Sequence, residues 1–335
     1  MKSLPALLLL ISFFGSPTTL ADPVEKPAEP KRHTFASPHL GTVVRVIFYS
    51  IADERSAKKK ADGCFELVRK LDAVFSDYRE DSELNVLCRN PIKEPHRVSK
   101  ELFEVIAYAQ KVSEQSNGAF DITLGKDTKR WRAKRDGATE GEPSKKPATT
   151  TSYRDLVLDP EKQTITLLKP LQLDLGGIAK GYIADRLMAK LKEEGITRAA
   201  VTVGGEIVLS EAPIGKKGWR IGLSDPNKKI TGTLVLTHTA LSTSGDSYQF
   251  FENDGERQAH LIDPKSRKGK GNRLNVTVIA KTAMAADAWA TAFRILPTDQ
   301  ALPLAVKQRD VEAFFNPLEG DPQKTKGFPT LEGAK

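Results

Sequence analysis

Two oxygen-bearing side chains, Asp287 and Thr291, lie four residues apart in a stretch with helical periodicity. Residues at this spacing project from the same face of a helix, so the carboxylate and the hydroxyl are expected side by side. Such oxygens suit Mg²⁺, whose remaining coordination positions are filled by waters or substrate phosphates. Taken alone, the pair favours a structural role, in which Asp287 caps a turn and Thr291 bonds back to a carbonyl.

A second candidate site lies in the middle of the sequence. Leucines alternate with polar residues over 171–175, which predicts a half-buried strand, and Gly176-Gly177 then precedes a predicted helix over 178–195. Glycines that open a helix allow backbone N–H groups to approach a phosphate, and Lys180 adds a positive charge in the first helical turn. An ordinary β-α-β unit that binds nothing fits the same spacing equally well.

No familiar nucleophile or nucleotide motif is present in the sequence. G-x-S-x-G, H-E-x-x-H, the Walker loop and G-x-G-x-x-G are all missing. Ser244, His260 and Asp263 have no spacing that would enforce a catalytic triad. His260 precedes an apolar pair and an Asp-Pro turn, and a lone histidine of this kind more often packs or caps than acts as a base.

The elements that would position these residues alternate irregularly between helix and strand. Helices are predicted over 53–75, 98–116, 178–195 and 284–296, and strands over 42–49, 171–175, 219–223, 231–237 and 276–280. With no tandem repeat and no internal linker, the pattern predicts one α+β domain over 36–316. A charged insertion is expected at about 126–151, a linker over 22–35 and a flexible tail over 317–335.

The N-terminus predicts export. A lysine, an apolar run and a small-residue cleavage site make residues 1–21 a Sec-type signal peptide, with an uncleaved short anchor as the alternative. No cysteine follows the cleavage site, so a lipid anchor is not expected. The net charge is +8, but the basic residues are dispersed or lie in loops without interleaved aromatic residues, so nucleic acid is not an expected partner. Cys64 and Cys88 leave a disulfide and two free thiols both open.

Several fragments become specific when they are taken together. In their order along the chain they resemble the ApbE family of FAD:protein FMN transferases, over about Leu40 to Leu296. The fragments are LGT (40–42), FSDYREDSELNVL (75–87), GAFDIT (118–123), LDLGGIAKGYIAD (173–185), VGGEI (203–207), STSGD (242–246), HLIDP (260–264) and AADAWATA (285–292).

The resemblance implies a fold and an activity. The expected fold is a single T-fold-like α+β domain with mixed, largely antiparallel sheets flanked by helices. Enzymes of this kind use Mg²⁺ to cleave the pyrophosphate of FAD and transfer FMN to a Thr or Ser hydroxyl of an exported acceptor protein, releasing AMP. FAD is then a substrate, the compartment is the periplasm, and membranes are met only through acceptor proteins. Alternatives are an FAD pyrophosphatase and a non-catalytic periplasmic flavin-binding protein.

The resemblance also assigns roles to individual residues. The Ala179 carbonyl and the side chains of Asp287 and Thr291 match metal ligands, and His260 matches a candidate general base. Lys180 is expected at the pyrophosphate. Positions that match flavin contacts are Leu40, Tyr78, Ala119, Phe120, Asp121, Gly176, Tyr182, Asp185 and Ile262.

Two departures accompany the match. Leu40 stands where many members have methionine, and its similar size preserves a packing role for that position. The charged sequence GKDTKRWRAKRDG (125–137) replaces a Gly-Pro-Leu and Trp-Gly segment. The resemblance therefore does not extend to how this edge of the site meets its acceptor. Ser244, Gly245 and Asp246 are expected to shape the wall of the site where flavin or acceptor enters.

Overall fold

A computed structural model describes residues 29–137, 151–247, 249–253 and 255–333. The predicted signal peptide and most of the predicted insertion lie outside these residues. In the part described, no helix is both long and apolar enough to cross a membrane.

An eight-stranded antiparallel sheet forms the centre of the molecule, with strand order β1-β2-β6-β7-β10-β13-β14-β15. Three smaller groups of strands accompany it: β3-β5-β4, the hairpin β8-β9 and the hairpin β11-β12. The strands are β1 Lys31–His39, β2 Thr42–Ser50, β3 Pro95–Arg97, β4 Leu156–Asp159, β5 Thr164–Leu167, β6 Ala199–Val203, β7 Glu206–Leu209, β8 Trp219–Ser224, β9 Ile230–Leu236, β10 Thr239–Ser244, β11 Phe250–Asn253, β12 Glu256–Ala259, β13 Leu274–Ala280, β14 Val311–Pro317 and β15 Gln323–Lys324.

Seven α-helices are described, and the sequence patterns predict the long ones to within about two residues at each end. Asp53, Ser82, Ser99 and Thr282 cap four of them through side-chain oxygens. The helices are α1 Glu54–Phe75, α2 Glu83–Arg89, α3 Lys100–Gln115, α4 Gly125–Arg135, α5 Ala179–Glu193, α6 Ala283–Ile295 and α7 Thr298–Lys307.

The two faces of the large sheet are covered differently. Because side chains alternate across a strand, Val201 and Val278 join the core beneath the helices, whereas their neighbours Ala200 and Ile279 pack on the other side. On that second side the sheet is covered by the β8-β9 hairpin, through side chains that include Trp219, Leu223 and Leu234. Helices thus cover one face and a hairpin the other, which confirms the predicted α+β class.

Three sequence-based expectations differ from the structure. The predicted strand over 171–175 is wrong: its three leucines are buried as expected, but the segment joins no sheet and instead bonds the turn 122–125 through Gly125 N to Gln172 O and Asp174 N to Ile122 O. The expected linker contributes residues to β1, which begins at Lys31. The expected tail packs on the domain, with Phe328 buried.

The insertion and the cysteines also have defined outcomes. Its first part is helix α4, whose Trp131 is buried, while residues 138–150 lie outside the described residues. Cys64 and Cys88 are both free thiols, and burial raises the pKa of each.

Candidate active site

A cleft of about 740 Å³ opens between the large sheet, the β8-β9 hairpin and helices α4, α5 and α6. Most of the predicted site residues line this single cleft. They are Leu40, Tyr78, Ala119, Phe120, Asp121, Gly176, Lys180, His260, Ile262, Asp287 and Thr291. Residues far apart in the sequence are therefore brought together as the motifs predicted.

Three charged side chains meet in the wall of the cleft. Asp287 and Glu206 are only 2% and 4% exposed. Lys180 Nζ lies 3.3 Å from Glu206 Oε1 and 3.7 Å from Asp287 Oδ2, and it donates to the Gly176 carbonyl at 2.7 Å. Burial raises the pKa of Asp287 and that of Glu206, the latter to about 7. Burial alone would lower the pKa of Lys180, but the two carboxylates raise it.

Close packing of α5 against α6 holds Asp287 in place. The Gly181 N–H donates to Asp287 Oδ2 at 3.1 Å. A side chain at Gly181 would place its Cβ 2.2 Å from the Ala283 carbonyl oxygen, so only glycine permits this approach. Asp185 fixes the start of α6 by accepting from the N–H groups of Ala283 and Met284 at 2.8 and 2.9 Å.

Thr291 occupies the next turn of α6 and faces the Gly176-Gly177 turn. Its Oγ1 lies 3.4 Å from Ser244 Oγ, and a Cβ at Gly177 would come within 3.0 Å of it. The hydroxyl and the Asp287 carboxylate thus both reach the cleft, as their four-residue spacing predicts.

This arrangement fits a divalent cation. Two buried carboxylates share one ammonium group, and Glu206 Oε2 has no hydrogen-bond partner in the described part of the chain. Excess buried negative charge is costly, and a cation beside Asp287 and Thr291 would offset it. Such a site combines a carboxylate with neutral oxygens; among the described residues, no group of three or more His, Cys, Asp or Glu side chains is suited to hold a metal.

The diglycine turn offers fewer free amides than the sequence suggested. Asp174 Oδ1 accepts from the Gly176 N–H at 2.7 Å, so this donor is already used. The Gly177 N–H has no hydrogen-bond partner among the described residues, and Gly177 lines the cleft. The Gly177 N–H, rather than that of Gly176, is therefore the available amide donor for a phosphate, and Lys180 places a positive charge near the same turn.

His260 lines the cleft beside the buried Trp131, with ring centroids 6.2 Å apart. Burial lowers its pKa to about 4, and the nearby positive charge of Lys180 acts in the same direction. Its Nδ1 lies 3.3 Å from the Gln249 carbonyl oxygen. A proton on Nδ1 that donates to this oxygen leaves Nε2 as the proton acceptor of a neutral imidazole.

Three predicted site residues do not line the cleft. Tyr182 is buried under α1, where it packs edge-on against Phe75 and donates to Glu104 Oε2 at 2.8 Å. Asp185 supports the start of α6, as described above. Ala179 is the buried first residue of α5, directly before Lys180, and its carbonyl remains a predicted ligand. Asp185 thus acts on the site through α6, whereas Tyr182 is part of the core.

The α4 helix forms a cleft wall that the sequence motifs did not assign. Arg132 pairs with Asp77 and places its guanidinium 4.2 Å from the centre of the Tyr78 ring, which is 73% exposed. Trp131 and Arg135 also line this side of the cleft. The available signal is Trp131, a single aromatic residue among basic ones, but the surrounding charged sequence favours an exposed insertion.

Glu206 is the most important residue that sequence reasoning left without a role. It begins β7 directly after Gly204-Gly205, inside the VGGEI motif. A charged residue that opens a strand is ordinarily solvated, so its burial beside Lys180 follows only from the fold.

Comparison with known proteins places these features in a family. Residues 40–315 match the ApbE family. The chain is 30% identical to the FAD:protein FMN transferase of Salmonella typhimurium, covering 98% of this chain and 95% of the relative. It is 28% identical to that of Klebsiella pneumoniae, covering 90% and 96%. Its structure superimposes on the apo form of Pseudomonas stutzeri flavinyl transferase ApbE with a TM-score of 0.79, at 29% identity and covering 92% and 98% of the two chains.

Proposed function

The chain belongs to the ApbE family of FAD:protein FMN transferases, and from this we propose that it performs a Mg²⁺-dependent transfer of FMN from FAD to a Thr or Ser hydroxyl of an exported acceptor protein. The observation that carries the proposal is the buried centre formed by Asp287, Glu206 and Lys180, with Thr291 beside it. This centre lies in the wall of a cleft of about 740 Å³, in which part of FAD would lie. AMP is the leaving group.

The charged centre is where the pyrophosphate would lie. Bound Mg²⁺, held by Asp287, Thr291 and the Ala179 carbonyl, would supply a Lewis acid that neutralises charge on the phosphates. Lys180 holds its ammonium beside the same site and remains protonated because the two carboxylates raise its pKa. The Gly177 N–H donates to a phosphate oxygen.

The transfer forms one phosphorus–oxygen bond and breaks another. The acceptor hydroxyl oxygen attacks the phosphorus of the FMN half, and the bridging oxygen departs with AMP. His260 takes the hydroxyl proton at Nε2, because its lowered pKa of about 4 keeps the imidazole neutral near pH 7. Such a low pKa makes His260 a weak base. Its contribution is therefore greatest when the acceptor hydroxyl loses its proton after the new phosphorus–oxygen bond has largely formed.

The flavin portion would lie against the apolar part of the cleft lining. Leu40, Phe120 and Ile262 present apolar surface there, and the Tyr78 ring is held at the mouth by Arg132. Asp121 lines this end of the cleft but uses its carboxylate to accept from Thr123 and Tyr153, so it shapes the loop that carries Ala119 and Phe120. Flat apolar surfaces of this kind suit an isoalloxazine ring.

Incubation of the purified protein with FAD, MgCl₂ and an exported acceptor domain carrying a candidate Thr tests the proposal. Covalent flavin fluorescence on the acceptor in a denaturing gel, with one AMP released per label, is the expected result. Release of free FMN and AMP without labelling of the acceptor would mean that the protein hydrolyses FAD and does not transfer FMN. FAD that stays intact would leave only binding. Fractionation of cells that express the full chain tests the proposed periplasmic location.

Replacing His260 by alanine is expected to slow transfer by about a hundredfold at pH 7, the usual weight of a general base. The dissociation constant of FAD, followed by flavin fluorescence, should change far less. His96→Ala is the matched control, because His96 lies on β3 outside the cleft lining. Transfer by His260→Ala at the rate of this control would remove His260 from the mechanism.

A further inference from the structure

The strand β8 presents an unpaired edge to the cleft. Within the described part of the chain, β8 pairs with β9 alone. Four consecutive residues, Ile221 to Ser224, line the cleft. Side chains of a strand alternate between two faces, so side chains alone would place only every second residue in the cleft lining. Because four consecutive residues line the cleft, the backbone edge of β8 faces it.

The direction of the Gly222 backbone groups follows from the pairing of β9. Gly222 is opposite Thr233, whose N–H donates to the Glu332 carbonyl at 3.0 Å and whose carbonyl accepts from the Glu332 N–H at 2.8 Å. Thr233 thus turns both groups away from β8. The pair is therefore a non-hydrogen-bonded one, in which Gly222 directs its own N–H and C=O away from β9. By the same alternation, Arg220 shares this orientation two residues earlier.

A short series of contacts connects this edge to the charged centre. The Ser224 carbonyl, at the end of β8, accepts from Asn275 Nδ2 at 3.0 Å and from Asn316 Nδ2 at 3.3 Å, so the free part of the edge ends before Ser224. Asn275 Oδ1 in turn accepts from Ser247 Oγ at 3.3 Å, in the loop that follows Ser244. Ser244 contacts Thr291 at 3.4 Å. Ser224, Ser244 and Thr291 line the same cleft, so an extended chain on β8 would lie in the cleft that holds the proposed metal site.

We propose that the acceptor protein binds by strand addition: an extended segment pairs with the free edge of β8 and carries its Thr or Ser to the phosphorus. The inference rests on the proposed function. Main-chain hydrogen bonds at Gly222 and Arg220 provide affinity with little dependence on sequence. Selectivity comes from the acceptor residue that neighbours the modified Thr or Ser. Its side chain contacts the apolar cleft residues Ile207, Ile221 and Leu241.

The geometry favours a peptide over the adenosine half of FAD at this edge. Outward donor and acceptor pairs recur at Arg220 and Gly222, which is the two-residue repeat of a strand. A nucleobase uses one such pair, whereas an extended chain uses both. Both residues are also exposed, so the edge continues from the cleft to solvent, where a macromolecular acceptor must remain.

Backbone N-methylation of a peptide substrate tests the pairing on the unaltered enzyme. A pool of short synthetic peptides with a central threonine is incubated with enzyme, FAD and Mg²⁺, and the peptide with the greatest FMN mass gain is resynthesised with a single N-methyl group at each position in turn. Strand addition predicts period two: methylation of alternate residues raises KM about tenfold or more, and methylation of the residues between them has little effect.

Two substitutions at Gly222 test the enzyme side. Gly222→Pro removes the outward N–H, and proline is tolerated at a position whose N–H makes no ladder bond. Gly222→Ala introduces the same Cβ, 3.2 Å from Ile230 Cδ1, but retains the N–H. The proline variant should show a KM for the peptide about tenfold above that of the alanine variant, with similar kcat.

Each other outcome overturns the inference in a recognisable way. An N-methyl scan without period two, or no labelled peptide while AMP is released, contradicts strand addition and leaves FAD cleavage standing. A Gly222→Pro defect in FAD affinity rather than in peptide KM would assign the edge to the nucleotide. If FAD is never cleaved and neither peptide nor protein is labelled, the proposed function fails as well.

Discussion

Replacing Asp287 by asparagine is expected to lower the rate of FAD cleavage about a thousandfold at saturating Mg²⁺, which corresponds to about 4 kcal/mol. The substitution preserves the shape of the side chain and an oxygen for the Gly181 N–H, so the α5-α6 contact survives. It removes the only buried carboxylate that adjoins Thr291 on α6 in the described chain. The cation would then lose its charged ligand.

The affinity for flavin should be affected much less than turnover. Leu40, Phe120 and Ile262 contribute apolar surface to the cleft, and an Asp287→Asn change leaves that surface unaltered. Asp310→Asn is the matched control, because Asp310 pairs with Lys281 on the surface. Full Mg²⁺-dependent turnover in Asp287→Asn would disprove the metal assignment, whereas an equal loss in both variants would indicate a general effect on folding.

The helices were predictable because their signals are redundant. In α1, apolar residues recur with helical spacing for six turns and Asp53 supplies a cap, so propensity, periodicity and capping agree. The segment 171–175 shows where this reasoning fails. Alternating burial is produced equally by a strand and by an extended segment held from one side, and only the bonds from Gly125 and Asp174 distinguish the two.

The placement of a residue in the cleft was predictable where its own side chain lines the cleft. His260, Asp287 and Thr291 belong to this group. Tyr182 and Asp185 do not, because the same short helix that carries Lys180 turns them toward the core and toward the start of α6. No periodicity separates a residue that contacts a ligand from one that supports a neighbouring element, since Lys180 and Asp185 are both half-buried on the same helix.

The free backbone groups of β8 could not be predicted from the sequence, for a different reason. The outward groups of Gly222 depend on the hydrogen-bonding phase of the β8-β9 ladder, which is fixed by Thr233 and the distant Glu332. Glu206 is similar, because its burial depends on strand β7 lying next to α5. Residue type predicts neither the outward backbone groups of Gly222 nor the burial of Glu206. Both features are known only from the structure.

Replacing Gly181 by alanine is expected to lower the free energy of unfolding by about 3 kcal/mol, measured by urea denaturation. The added Cβ would lie 2.2 Å from the Ala283 carbonyl oxygen and 2.7 Å from the Met284 nitrogen. These are backbone atoms that no rotamer change can move, so α5 and α6 must separate. The separation would also draw the Gly181 N–H away from Asp287, and FAD turnover should fall together with stability.

Gly205→Ala is the matched control for stability, because its Cβ would meet only the Thr243 carbonyl oxygen, at 3.4 Å. A Gly181→Ala protein as stable as this control would mean that the two helices have room to move apart. In that case the position of Asp287 would not depend on their close contact. Loss of stability with unchanged turnover of the folded fraction would instead separate the packing of α5 on α6 from the chemistry, and would contradict the role assigned to the Gly181 N–H in holding the carboxylate.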